Sequence, residues 1–208
     1  MVPVMQADET IKKRPSLTDW ARRNFKGVLE PAARVLIRLG LTPNAVTLLG
    51  LAGNAVGAVF LAQGYMTIGG IAILLMAPLD ALDGTMARLM GQSSKWGAFT
   101  DSVTDRWSEL FIFMGLLYFY LGQGNRLACL LVFAAAGGSL MVSYTKSRAE
   151  TLGFECNVGV LTRMERFLVL GPGLVLNLPM AAVAIIAVLA NFTALQRAWF
   201  VRGQAKKS

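Results

Sequence analysis

The chain has 208 residues, enough for one domain, and is 55% hydrophobic against 15% charged, a balance that excludes an ordinary soluble globular protein. Its net charge is +8; because the basic residues cluster between apolar runs, they point to anionic lipid headgroups or phosphate-bearing substrates and away from nucleic acid. There is no histidine, which excludes His-ligated zinc and a Ser-His-Asp triad, and the two cysteines, Cys129 and Cys156, have no metal-ligand or redox spacing and imply no disulfide framework.

Residues 1–15 read as a polar tail, and residues 1–40 lack the layout of a secretory signal. From Ser16 to Gly40, Trp20, Phe25, Val28, Leu29, Ala32, Val35 and Leu36 recur at helical spacing, with Arg22, Arg23, Lys26, Arg34 and Arg38 on other faces. That pattern predicts an amphipathic juxtamembrane helix lying in the membrane interface, with Pro31 a candidate break. Six apolar segments follow, each near the ~20 residues that a membrane span needs. They run over Pro43–Gln63, Met66–Leu89, Lys95–Leu121, Asn125–Tyr144, Leu161–Asn177 and Pro179–Phe200. The turn between the last two is placed at Asn177-Leu178-Pro179, because proline suits a helix start, which leaves Gly171-Pro172 as a kink inside the fifth. A count of five spans is the alternative. The expected fold is therefore all-α: the interfacial helix over 16–40, a six-helix transmembrane domain over 41–202, and a basic tail over 203–208.

Basic residues set the orientation. The N-terminal segment, the loops near residues 90 and 155, and the C-terminal tail hold nearly all of them, whereas the opposite side has only Arg126. Both termini are expected on the cytoplasmic side of the cell membrane, in a multi-pass topology.

The second and third spans carry Asp80, Asp83, Gly84, Ala87, Arg88, Gly97, Asp101 and Asp105. Carboxylates at membrane depth are costly and mark function. Asp80 and Asp83 are three apart and share a helix face, and Asp101 and Asp105 are four apart and share another. At about 1.5 Å per residue, Asp80 lies about 20 Å along the second span and Asp101 about 9 Å into the third. The two pairs should meet at one depth, in the cytoplasmic half, on antiparallel neighbours joined by residues 89–95. Four converging carboxylates need cations, and all-oxygen ligands favour Mg²⁺ or Mn²⁺ over zinc. Two such ions suit displacement at phosphorus. Gly84 and Gly97 let a substrate approach the backbone, and Arg88 can fork onto a phosphate. A metal-ion transporter would also want such carboxylates, but has less use for Arg88 and for the basic loop at 146–166.

The string fits every fixed position of D-x2-D-G-x2-A-R-x8-G-x3-D-x3-D, and by this it resembles the CDP-alcohol phosphatidyltransferase family. Eight fixed positions give a chance match on the order of one in ten billion per starting position. The resemblance implies an enzyme of phospholipid biosynthesis with a CDP-lipid donor. It implies Asp80, Asp83 and Asp101 as metal ligands, with Asp105 completing a second metal site and acting as general base. It implies CDP contacts from Gly84, Ala87, Arg88 and Ser94, and from the Leu41-Thr42-Pro43-Asn44-Ala45 segment. A helix N-terminus at Thr42–Ala45 would favour phosphate independently; a plain cap-and-proline start is the other reading. The resemblance also implies a homodimer, and Gly137-Gly138 allows close helix packing.

The acceptor is read from the surrounding cations. Lys146, Arg148, Arg163, Arg166 and Arg197 flank the acidic site and suit a phosphorylated polyol, since choline or ethanolamine would be repelled. Lys146, Arg148, Arg166 and Arg197 are the expected phosphate ligands. Positive-inside anchoring is the other reading of these cations and accounts for Arg202, Lys206 and Lys207. The Tyr144–Glu150 string, Met164-Glu165-Arg166 and the Asp105-Arg106 ending resemble the prokaryotic phosphatidylinositol-phosphate synthases. Inositol phosphate is therefore expected as acceptor, with glycerol 3-phosphate second and the lipid core, diacyl or diether, open.

Overall fold

The computed structural model describes residues 17–206, with side chains from residue 27. The expected polar tail over 1–15 and Lys207 lie outside the described residues, as do the side chains of Trp20, Arg22, Arg23, Phe25 and Lys26. Seven helices occupy the described part: α1 Leu17–Arg38, α2 Pro43–Ala62, α3 Met66–Leu89, α4 Lys95–Gly122, α5 Arg126–Thr151, α6 Arg163–Val175 and α7 Pro179–Ala205.

The helix ends follow from local chemistry. Thr42, Ser94 and Asn125 cap α2, α4 and α5 with side-chain acceptors, and Pro43 and Pro179 open α2 and α7. Between α3 and α4 the chain turns at Gly91, whose φ of 63° closes the Gly91 N–H to Arg88 carbonyl and Gln92 N–H to Ala87 carbonyl pair of a Schellman motif. Asn177 closes α6 in the same way at φ 57°, so the expected turn at Asn177-Leu178-Pro179 is present. Pro31 does not break α1. The helix continues because Leu29, Ala32, Ala33, Leu36 and Ile37 pack against Val46, Leu79, Leu82 and Met86 beyond it, and that burial outweighs the proline's lost hydrogen bond.

Four helices among the described residues, α2, α3, α5 and α7, are long and apolar enough to cross a membrane. The other two expected spans differ. Helix α4 has 28 residues but carries Asp101, Asp105, Arg106 and Glu109. Helix α6 has only 13 residues, about 20 Å at ~1.5 Å per residue, short of the ~30 Å hydrocarbon core. The exterior is apolar where lipid would lie: Leu49, Val59, Leu75, Leu130, Phe133, Val188 and Leu195 all face outward.

Small residues seat the helices on one another. A Cβ on Gly115 of α4 would lie 2.3 Å from the Ala58 carbonyl oxygen of α2, and one on Gly69 of α3 would lie 2.9 Å from that of Gly57 in α2. Gly138 of α5 serves α7 likewise, where a Cβ would lie 3.0 Å from the Asn191 backbone nitrogen. The expected close packing at Gly137-Gly138 thus uses Gly138 alone, inside one chain.

One expectation is corrected. Helices α3 and α4 are joined by a short turn, yet the main partner of both is α2. They are not antiparallel neighbours packed along their length; α2 bridges them, and a cleft opens at their joined end.

Candidate active site

The cleft is built from three chain segments. Helix α2 contributes its N-terminus: Thr42 caps it by accepting from the Ala45 N–H at 3.3 Å, and Pro43 and Asn44 follow. Helix α3 contributes Asp80, Asp83, Gly84, Ala87 and Arg88, and the turn adds Gln92 and Ser93. Helix α4 contributes its own N-terminus, where Ser94 accepts from the Gly97 N–H at 3.0 Å, then Gly97, Ala98 and Asp101. Together they enclose about 540 Å³. Two helix N-termini therefore open on one cavity and direct positive partial charge toward it.

Of the residues expected to hold the CDP group, Thr42, Pro43, Asn44, Gly84, Ala87, Arg88, Ser94 and Gly97 line this cleft. Ala45 sits one step behind, its N–H spent on the Thr42 cap. The glycines leave the wall low: a Cβ on Gly97 would stand 3.3 Å from Ser94 Oγ and 3.9 Å from Asn44 Oδ1, at the point where the two N-termini meet. Arg88 is exposed and donates Nη2–H to Thr85 Oγ1 at 2.9 Å.

The carboxylates are brought together. Asp80, Asp83 and Asp101 line the cleft, and Asp105 lies deeper, 8% exposed. Asp80 and Asp101 both act electrostatically on Asp83 and on Asp105. Among the described residues no three acidic or cysteine side chains already close around one point. The donor set is nonetheless all oxygen, from two helices, and fits a hard divalent cation.

Three residues around these acids were not assigned a role from the sequence. Thr47 Oγ1 lies 2.5 Å from Asp83 Oδ2; its signal was a hydroxyl one turn past Pro43. Arg163, noted only as a flanking cation, donates Nη2–H to Asp80 Oδ2 and pairs through Nη1 with Asp105 Oδ2, both at 2.6 Å. Glu109, one turn past Asp105, carries a charge on the buried side of α4, and its partner lies on another helix.

That partner is Arg166. It is 1% exposed and forks onto Glu109, Nε to Oε1 at 2.7 Å and Nη2 to Oε2 at 2.9 Å. Arg166, expected to hold an acceptor phosphate, has its charge met internally here and fixes α6 against α4. Arg197, 4% exposed, donates from Nε to the Val158 carbonyl at 2.8 Å and from Nη1 to that of Val142. Among the described residues no carboxylate pairs with it. The Glu155 and Leu161 N–H groups add bonds to Gln204 and Thr193 of α7, so the segment before α6 is stitched to α7. Lys146 and Arg197 both act electrostatically on buried Cys156. Lys146 pairs with Glu150 at 3.8 Å, and Arg148 is exposed.

Comparison with known proteins agrees with this layout. The chain is 40% identical over 209 residues to a phosphatidylinositol phosphate synthase of Streptomyces avermitilis, covering 92% of this chain and 85% of that one. It is 33% identical over 187 residues to an archaetidylinositol phosphate synthase of Pyrococcus horikoshii, covering 89% and 95%. Its fold resembles crystal structures of Mycobacterium tuberculosis phosphatidylinositol phosphate synthase at 30% identity. With CDP-DAG bound, the TM-score is 0.78 over 84% of this chain and 93% of that one. In complex with manganese and citrate, it is 0.79 over 83% and 88%. The family model for CDP-alcohol phosphatidyltransferases matches residues 40–201, which takes in every wall of the cleft, and the chain belongs to that family.

Proposed function

We propose that the protein transfers a phosphatidyl group from CDP-diacylglycerol, or its diether counterpart from a CDP-linked diether lipid, to a hydroxyl of inositol phosphate, with release of CMP. The observation that carries this reading is the single cleft in which two helix N-termini, two glycines and three aspartates meet. It offers an anion cradle for a diphosphate beside acidic ligands for cations. The transporter reading gives way, because family membership accounts for the same carboxylates together with Arg88, Gly84 and Gly97.

Asp80, Asp83, Asp101 and Asp105 would hold two Mg²⁺ ions, with Mn²⁺ able to substitute. When bound, these supply charge neutralisation at the diphosphate and at the departing oxygen. The N–H groups at the starts of α2 and α4 receive the nucleotide phosphates. Gly84 and Ala87 keep the α3 wall clear for the CDP group, and Arg88 offers its remaining N–H groups to phosphate. Asp105 takes the proton of the acceptor hydroxyl. The oxygen attacks the phosphorus that bears diacylglycerol, that phosphorus loses its bond to the CMP oxygen, and CMP departs. Lys146, Arg148 and Arg197 are the ligands we assign to the acceptor's own phosphate. The support for Arg197 is a buried guanidinium whose hydrogen bonds among the described residues go to carbonyls, leaving room for an anion to pair with it.

We read α4, and α6 with its flanking residues over Leu161–Asn177, as the remaining two of six crossings, and α1 as lying in the interface. The basic ends face the cytoplasm with the cleft, and the enzyme acts as a homodimer. The decisive assay supplies membranes containing the protein with CDP-diacylglycerol, Mg²⁺ and labelled inositol phosphate or glycerol 3-phosphate. Labelled lipid from inositol phosphate is expected. Labelled lipid from glycerol 3-phosphate alone would reverse the acceptor, and no CMP with either would overturn the reading. Full turnover in Asp105→Asn would remove Asp105 as the base.

A further inference from the structure

Arg163 is the first residue of α6, held there from both sides. Before it, residues 155–161 are bonded to α7. After it, one turn on, Arg166 is forked onto Glu109. So placed, its guanidinium reaches between α3 and α4 and contacts Asp80 Oδ2 and Asp105 Oδ2 at 2.6 Å each. It rests against the Phe167 ring, 5.4 Å from the centroid, and its Nε is buried without a hydrogen-bond partner among the described residues. A planar fork suits two carboxylates at once in a way that a point charge does not. The oxygens it occupies belong to two of the four acids assigned to cations.

We propose that Arg163 is an internal counter-ion that competes with divalent cations for Asp80 and Asp105. It neutralises the acids in the cation-free protein and must give them up for a cation to load. Affinity for the cation is therefore set partly by a residue that is not a ligand. This rests on the reading of the four aspartates as the cation site.

The test compares full-length wild type and Arg163→Gln in detergent. Free Mn²⁺ is followed by electron paramagnetic resonance during titration, and melting temperatures are recorded in EDTA and in saturating Mn²⁺. Arg163→Gln should bind Mn²⁺ on the order of tenfold more tightly, about 1.4 kcal/mol. It should melt below wild type in EDTA, with the gap narrowing in Mn²⁺. Equal affinity in the two proteins would overturn the counter-ion role while leaving the cation site standing. Absence of Mn²⁺ binding in both would overturn the cation site itself. If Arg163→Gln does not fold, Arg163→Lys takes its place: a point charge cannot span both carboxylates, so tighter binding is again expected and unchanged binding overturns the proposal.

Discussion

Replacing Glu109 by glutamine isolates the one fully buried ion pair between α4 and α6. The side chains of Arg166 and Glu109 are 2% and 7% exposed, and both carboxylate oxygens are engaged. Glutamine keeps one acceptor oxygen but turns an NH₂ toward a guanidinium N–H. The guanidinium's other acceptor is the Leu161 carbonyl, at 3.4 Å. An uncompensated buried charge of this kind costs about 3–5 kcal/mol. The surviving hydrogen bond places Glu109→Gln toward the lower figure and Glu109→Ala toward the upper. Removing both charges should behave differently, because an apolar pair of similar volume is neutral or stabilising. Glu109→Leu combined with Arg166→Met is therefore expected within about 1 kcal/mol of wild type or above it. Chemical unfolding in detergent, followed by tryptophan fluorescence, measures all four proteins. A loss under about 1 kcal/mol in Glu109→Gln would refute the reasoning. So would a double variant as unstable as Glu109→Ala, since the cost would then belong to packing rather than to charge.

Thr47→Val removes the hydroxyl that steadies Asp83 at 2.5 Å, and should weaken Mn²⁺ binding about 10–100-fold with little change in fold; calorimetric titration of the variant measures it. Gly115→Ala puts a methyl group 2.3 Å from a backbone oxygen that cannot turn aside, and should cost about 1–3 kcal/mol. Gly137→Ala, with open space around it, should be neutral or slightly stabilising by helix propensity, and melting curves of the two compared side by side test the contrast. Burial pushes the Cys156 thiol above its ordinary 9.0, against the pull of Arg197. Because the folded value is the higher one, the stability this group contributes is complete below pH 9 and is lost as pH rises through the folded value. Alkylation by iodoacetamide should accordingly show a midpoint above 9, and a midpoint at or below it would contradict the burial.

What could be read from the sequence is what neighbouring residues decide. The start of α2 at Pro43, the whole of α3 and the turn at Asn177 follow from caps, prolines and turn residues within a few positions. The membership of the cleft follows from spacing along α3 and α4, since turns of a helix carry Asp80, Asp83 and Ala87 to one face. The partners of the acids lay beyond that reach. Arg163 meets Asp80 across 83 residues, and Arg166 meets Glu109 across 57. Nothing in the local pattern separates a cation that pairs with an acid from one that anchors a loop. The splaying of α3 from α4 is likewise a property of α2, which packs against both. Helix α6 falls two residues short of the expected Leu161–Asn177 at each end, because the Leu161 N–H bonds to Thr193 of α7 and Asn177 turns the chain out of the helix.

The glycine contacts beneath the cleft have a consequence for the choice of ion. Where α2 meets α3 at Gly57 and Gly69, and α4 at Ala58 and Gly115, backbone lies against backbone. No side chain stands between Gly115 and Ala58, and the buried side chains of Leu61 and Ile73 fill the space beside Gly57 and Gly69. The span between the α3 acids and the α4 acids is therefore stiff. A stiff span suits an ion that takes oxygens at about 2.0–2.1 Å in a fixed octahedron, and penalises one that asks for 2.3–2.6 Å and six to eight ligands. Discrimination between magnesium and calcium would then be set by glycines about 15 Å along the helices from the nearest of those acids.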